Sequence, residues 1–205
     1  MRPVPLDVIV KGYQSSKNAF LFNRKLDSLV FPILMEFAEQ KPALCFCSAR
    51  DDVSRLASKL STEYCTNGGG SIFLRDSQHA RILLEASKQI QNGTLKKCIQ
   101  AGVGFHNAAL SIGDRGIVEE LFTNKMLPVV ATTSTLAMGV NLPAYLVIIK
   151  GIHVYRHGDG YVQLDYSTIL QMIGTAICCC YNDQRYYITY AKIISYRKSW
   201  TPSIR

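Results

Sequence analysis

Hydroxyl side chains followed by an arginine, set just after a short apolar run, suit phosphate oxygens. Ser and Thr hydroxyls, the free N–H groups of a helix start and a guanidinium fork all donate hydrogen bonds to an anion. Two such clusters occur. Ser48-Ala-Arg50 follows the run Ala43-Leu-Cys-Phe-Cys47, and Thr132-Thr-Ser-Thr135 follows Pro128-Val-Val-Ala131. Spacing alone leaves a second use open, in which Ser48 and one of the threonines only cap the helices that begin there.

Both clusters need a scaffold that ends strands where helices start. Ala43–Cys47, Gly102–His106, Pro128–Ala131 and Leu146–Ile149 are short apolar runs of the kind found in strands buried on both faces. Leu6–Tyr13 reads as a further strand. Val53, Leu56, Ala57, Leu60 and Tyr64 form one helical stripe, with Ser48 and Asp51 at capping-box spacing before it. Residues 24–40 carry Leu26, Leu29, Val30, Ile33, Leu34 and Phe37 at helical spacing, and Pro32 predicts a kink or a start near residue 29. Residues 77–91 and 113–125 read as helices, a brief helix closes at Gly139, and Asn67-Gly-Gly-Gly70 reads as a loop. Strands alternating with helices predict an α/β fold with a mainly parallel sheet covered on both sides. Ligands then gather beyond the carboxyl ends of the strands.

The 205 residues suit one domain with its own core, and 48% hydrophobic against 19% charged residues excludes a disordered or fibrous chain. No run of 18 apolar residues occurs and Met1-Arg-Pro-Val-Pro5 has no signal-peptide pattern, so an intracellular protein with no membrane contact is expected. The seven cysteines lack framework spacing, and reduced thiols are expected, with Cys45 and Cys47 packed as small hydrophobes. A net charge of +8 favours a polyanion partner. Composition breaks near residue 175: residues 175–205 hold five Lys or Arg against Asp183 alone, five of the eleven Tyr and the only Trp. Cys178-Cys-Cys180 lacks C-x-x-C spacing, so no metal site is expected. The bases and tyrosines of this tail could stack on single strands, or the tail could be disordered or an edge strand.

Five blocks in order resemble one family: Leu44–Arg50, Val103–Leu110, Arg115–Phe122, Ala131–Ala144 and Gln171–Gly174. They are similar to the second RecA-like lobe of superfamily 2 DExH helicases, in the Ski-like group and its meiotic crossover branch. Arg2–Leu6 resembles the connector from the first lobe. The resemblance covers about residues 2–174 and implies a three-layer RecA-like lobe, incomplete at its C-terminus, with residues 175–205 a divergent basic tail. It implies nucleic-acid contacts from Ser48, Arg50, His106, Asn107, Thr132 and Thr133. It implies a nucleotide-facing edge at Gly139, Asn141 and Gln171. His106 as a plain strand-end histidine, Asn141 as a turn residue and Gln171 as a solvated helix residue are the competing uses. The implied partners are single-stranded or branched DNA and the first RecA-like lobe, with ATP and Mg2+ as cofactors of a complete nuclear enzyme.

Two departures limit that likeness. The chain has no G-x-x-x-x-G-K-[ST] and no Asp-Glu-x-His box, so most of the machinery holding a triphosphate and its Mg2+ is missing. After Gln171-Met-Ile-Gly174 the family continues Arg-Ala-Gly-Arg, whereas Thr175 and Cys178 stand at the arginine positions here. An arginine finger is worth roughly 10³–10⁵ in rate, so this chain alone is expected to be inactive. The expected function is the second motor lobe of an ATP-dependent 3′–5′ DNA helicase. The alternative is a non-catalytic nucleic-acid-binding or interfering fragment from an alternative transcript. An alternative exon or a frame shift at residue 175 is the expected origin of the tail, a degenerate but selected sequence the other.

Overall fold

The computed structural model describes residues 8–13, 19–64, 70–134, 136, 142, 144–156, 160–174 and 186–188. Its elements are β1 (Val8–Val10), α1 (Ala19–Phe37), β2 (Ala43–Cys47), α2 (Arg50–Glu63), α3 (Ser77–Lys88), α4 (Gly93–Gln100), β3 (Val103–His106), α5 (Ile112–Thr123), β4 (Val129–Thr133), β5 (Leu146–Ile149), β6 (His153–Arg156), β7 (Gly160–Gln163), α6 (Tyr166–Gly174) and β8 (Tyr186–Ile188).

The four apolar runs form one parallel sheet in the order β3-β4-β2-β5. Every residue of β2, β3 and β5 is buried, which is why these runs are apolar throughout and do not alternate. Helix α2 lies across β2, β3 and β4 with Val53, Leu56, Ala57 and Leu60 facing in, and α4 packs on both α2 and β3. The expected α/β class is what forms.

Local chemistry explains most boundaries. Asp76, Asn92 and Ser111 cap α3, α4 and α5 by accepting from His79 N, Leu95 N and Asp114 N at 2.7, 2.9 and 3.1 Å. Gly102 sits at φ +81°, and a Cβ there would come within 2.8 Å of the Phe73 carbonyl, so the turn into β3 takes glycine.

Several expectations are corrected. Helix α1 begins at Ala19 and runs unbroken through Pro32, so no start near residue 29 exists. Pro32 faces outward while Leu26, Val30, Ile33 and Leu34 are buried. Burial of about 1.5–3 kcal/mol for each of these outweighs the ~3 kcal/mol cost of an interior proline. Strand β4 extends through Thr132 and Thr133, and helical backbone follows directly at Ser134 and Leu136. Helix α4 and the antiparallel pair β6–β7 were not foreseen. A strand also follows α6: β8 pairs in parallel with β1, Val8 opposite Tyr186, and lies beside β5. Of the uses left open for the tail, Tyr186–Ile188 takes the strand. The Asn67–Gly69 part of the predicted loop and the predicted helix end at Gly139 lie outside the described residues.

Candidate nucleic-acid interface

Parallel register decides which residues share an edge. His106 lies opposite Thr132, Cys47 opposite Thr133, and Phe46 opposite both Thr132 and Ile149. With neighbouring strands about 4.8 Å apart, the carboxyl edge thus collects Lys150 and Gly151 after β5, Ser48 after β2, Thr133 at the end of β4 and His106 at the end of β3. These ends belong to elements far apart in sequence. A Cβ on Gly151 would come 3.2 Å from Ser48 Oγ, so the β2 and β5 ends touch.

Ser48 does not cap α2. The N-cap is Ala49, extended and without a side-chain bond, so the capping use open for Ser48 in the sequence is not taken. Arg50, the first residue of α2, is exposed. Asn107 is buried and ties β3 to this turn: its amide donates to the Arg50 carbonyl at 3.5 Å and accepts from Ala109 N at 3.0 Å. A cleft of about 380 Å³ opens here, lined by Arg50, Ser54, Thr94, Asn107 and Ala109 among others. Thr132 is fully buried, its hydroxyl donating to the Thr133 carbonyl at 3.3 Å, while Thr133 is half-buried at the strand end.

His106 is 6% exposed, and its Nε2 lies 2.8 Å from Glu119 Oε1 of α5. Burial lowers its pKa below the ordinary 6.5, outweighing the Glu119 carboxylate that favours the charged ring. The folded state therefore binds this proton less readily than the unfolded chain. The stability it contributes is present above pH 6.5 and lost as pH falls through and below that value. Melting measured from pH 7.5 down to 5.5 should drop more steeply for the wild type than for His106→Gln; equal slopes would remove His106 as a source.

Gln171 is exposed on α6, whose Thr168, Ile169, Met172 and Ile173 are buried. No hydrogen bond or ion pair joins Gln171 to the edge residues among the described residues. Gly139, Asn141, Thr175 and Cys178 lie outside the described residues. Among the described residues no group of three or more His, Cys, Asp or Glu is placed to hold a metal ion. With no Lys-bearing phosphate loop in the chain either, the residues present do not fit a Mg2+–triphosphate site by themselves. No described helix is long and apolar enough to cross a membrane.

One feature beside this edge escaped the sequence. Lys150 and Asp27 are 1% and 2% exposed and paired with each other. Arg55 Nε reaches Asp27 at 2.9 Å, Arg55 also pairs with Asp52, and Asn23 donates to Asp52 at 3.4 Å. Two cations and two carboxylates join α1, α2 and the end of β5. Burial by itself lowers the Lys150 pKa, but Cys47, Asp27 and Asp52 outweigh it and raise the value above 10.5, so the ammonium stays charged at neutral pH. Asp27 inside the apolar stripe Leu26–Val30 was the readable sign. Cys45, Cys47 and Cys98 are buried free thiols, as expected of small hydrophobes.

No family model matches the chain. It is 41% identical over 177 residues to the ATP-dependent DNA helicase homolog MER3 of Arabidopsis thaliana, which covers 86% of this chain and 16% of that protein. It is 38% identical over 177 residues to the probable ATP-dependent DNA helicase HFM1 of Mus musculus, covering 85% and 12%. With the RQC trigger complex helicase SLH1 of Saccharomyces cerevisiae it shares 33% over 196 residues, 94% of this chain and 10% of that protein, so this alignment runs past Gly174. The chain spans less than a fifth of the length of each. Over most of its own length, the chain is homologous to one segment of the MER3/HFM1 DNA helicases and of the Ski2-like DExH helicases around them.

Proposed function

We infer that this chain is the second RecA-like lobe of an ATP-dependent DNA helicase of the meiotic crossover type, moving 3′ to 5′ on single-stranded or branched DNA in the nucleus. The observation that carries the reading is the common carboxyl edge on which register aligns Thr133, Ser48 and His106. Ser48, Arg50 and Thr133 grip backbone phosphates there. Asn107, Thr132 and His106, all buried, hold the ends of β3, β4 and α2 in place beneath them. Gly139, Asn141 and Gln171 supply one side of the nucleotide cleft, and the first lobe of a longer enzyme supplies the phosphate loop and Mg2+ ligands. Closure of the lobes would move this grip along the strand. The names of the MER3 and HFM1 relatives, which describe ATP-dependent DNA helicases, support the substrate class.

Alone, the chain binds without turning over. The absent phosphate loop and the residues Thr175 and Cys178 favour a second reading in which it serves as a non-catalytic binding or interfering fragment. The strand β8 and the SLH1 alignment past Gly174 favour a tail that belongs to the fold. Reads across the Gly174 codon that show one uninterrupted exon in every transcript would remove splicing as its origin.

Binding to oligo(dT) should weaken with a linear dependence of log K on log salt. Arg50→Ala and Thr133→Ala should each reduce affinity by about tenfold, and Arg50→Ala should lessen the slope by about one unit. Affinity unchanged in both variants would assign binding to the basic tail and remove the edge. ATP hydrolysis above buffer in the presence of DNA would overturn the non-catalytic reading of the isolated chain.

A further inference from the structure

A cleft of about 880 Å³ opens at the amino end of the sheet, where Pro42 and Pro128 lead into β2 and β4, a whole strand length from Ser48 and Thr133. Its volume lies within the range of ligand-binding clefts. Its lining is largely apolar: Leu34 is buried, Phe73, Leu74 and Pro128 are half-buried, and Met35 of α1 is 62% exposed. The walls are held in place before anything binds. Arg75 Nη2 donates to the Lys125 carbonyl at 2.7 Å, and His79 joins the same two turns, its Nδ1 accepting from Arg75 N at 3.2 Å and its Nε2 donating to the Met126 carbonyl at 2.7 Å. A cleft ordered in this way loses little conformational entropy on binding.

Among the described residues, all three non-glycine residues with left-handed backbone line this one cleft: Glu39 at φ 49°, Gln40 at 59° and Lys125 at 59°. Lys125 is the informative one. Helix α5 ends in a Schellman motif, Met126 N bonding the Leu121 carbonyl at 2.8 Å and Lys125 N the Phe122 carbonyl at 2.9 Å, and Lys125 holds the position that glycine usually fills because a Cβ is penalised there. Strain of this kind collects at ligand clamps, and here it sets on the cleft a charged side chain that glycine would not provide. The charged residues of the lining are Lys41, Arg75 and Lys125 against Glu39 alone, and Glu39 is already paired with Lys41 at 2.9 Å. We propose that this cleft docks an acidic segment of another protein, with an apolar anchor against Met35, Phe73 and Leu74 and carboxylates against Arg75 and Lys125. A nucleic-acid strand fits the lining less well: it brings phosphates but no aliphatic anchor, and Phe73 is the one lining ring on which a base would stack. Docking at the amino end leaves the carboxyl edge clear, so partner and strand are held at the same time.

The test pans an unbiased library of short displayed peptides against the full chain and titrates the recovered peptides, fluorescently labelled, against the wild type, Met35→Ser and Lys125→Gly. Peptides rich in Asp and Glu around a Leu, Ile, Met or Phe anchor should be recovered. Met35→Ser should weaken them about tenfold and Lys125→Gly about fivefold, and added salt should shrink the Lys125 effect. Lys125→Gly should also melt at a higher temperature than the wild type, because glycine relieves the left-handed position. A residue with only a structural role would not lose binding while stability rises. Recovery of no peptide, of peptides without acidic residues, or of peptides that bind both variants as tightly as the wild type overturns the proposal, whatever the melting temperatures. Oligo(dT) that displaces the recovered peptides and itself binds both variants more weakly overturns the protein partner in favour of a strand.

Discussion

Asp27→Ala should destabilise the protein by about 3–5 kcal/mol, because it deprives a buried Lys150 ammonium of the carboxylate bonded to it. Lys150 is 1% exposed, its nitrogen is bonded to Asp27, and Arg55 loses a partner at the same time. Against a total stability of about 5–15 kcal/mol, that is a large share. Chemical denaturation reads it directly, and a loss under about 1 kcal/mol would show that water or another group replaces the carboxylate. The double variant Asp27→Leu with Lys150→Met separates the pair from the site it occupies. It removes both charges together and should recover most of the loss, since replacing a whole buried pair with apolar groups is often neutral. The raised Lys150 pKa sets the pH range: its contribution is complete below 10.5 and fades only as pH climbs through the higher folded value. The effect of Asp27→Ala should therefore be the same at pH 6 and pH 8.

Phe46→Ala should cost a similar amount, about 3–5 kcal/mol, from a lost ring and the cavity it leaves. Phe46 is 1% exposed on β2, flanked on both sides by β4 and β5 at the level of Thr132 and Ile149. It is among the largest fully buried side chains and lies two residues before Ser48. Its removal loosens the strand ends beneath the candidate interface as well as the core. Oligo(dT) affinity should fall along with stability, and Phe46→Leu, which leaves a smaller void, should restore most of both. A Phe46→Ala protein that melts like the wild type would mean that β2 is not the packed centre of the sheet.

These two side chains differ in how visible they were. Phe46 sits in a five-residue apolar run, and such a run between polar boundaries already implies burial on both faces. Ala43–Cys47 and Leu146–Ile149 are therefore strands at the bounds the run itself sets. Asp27 and Lys150 are separated by 123 positions, and no pattern in either neighbourhood names the other. Helix α4 was legible in principle, since Asn92 stands three residues before Leu95, and Leu95, Cys98 and Ile99 repeat at helical spacing. A glycine and a β-branched threonine at its start conceal it. The start near residue 29 expected for α1 failed for the opposite reason. A local penalty at Pro32 was weighed without the distant core that offsets it.

The chain's order of apolar runs, turns and amphipathic stripes was enough to determine an α/β protein and to put Ser48, Arg50 and Thr133 at or just past strand ends, because strand burial and helical period depend on neighbours within a few positions. Folding alone decided that His106 would lean on Glu119, that Thr132 would be buried, that the Arg115 Nε would have no acceptor among the described residues, and that Tyr186–Ile188 would pair with Val8–Val10. Those are meetings between segments far apart in the chain, and their energies depend on burial and on which partner a polar group loses or finds when water is excluded, quantities no local spacing contains.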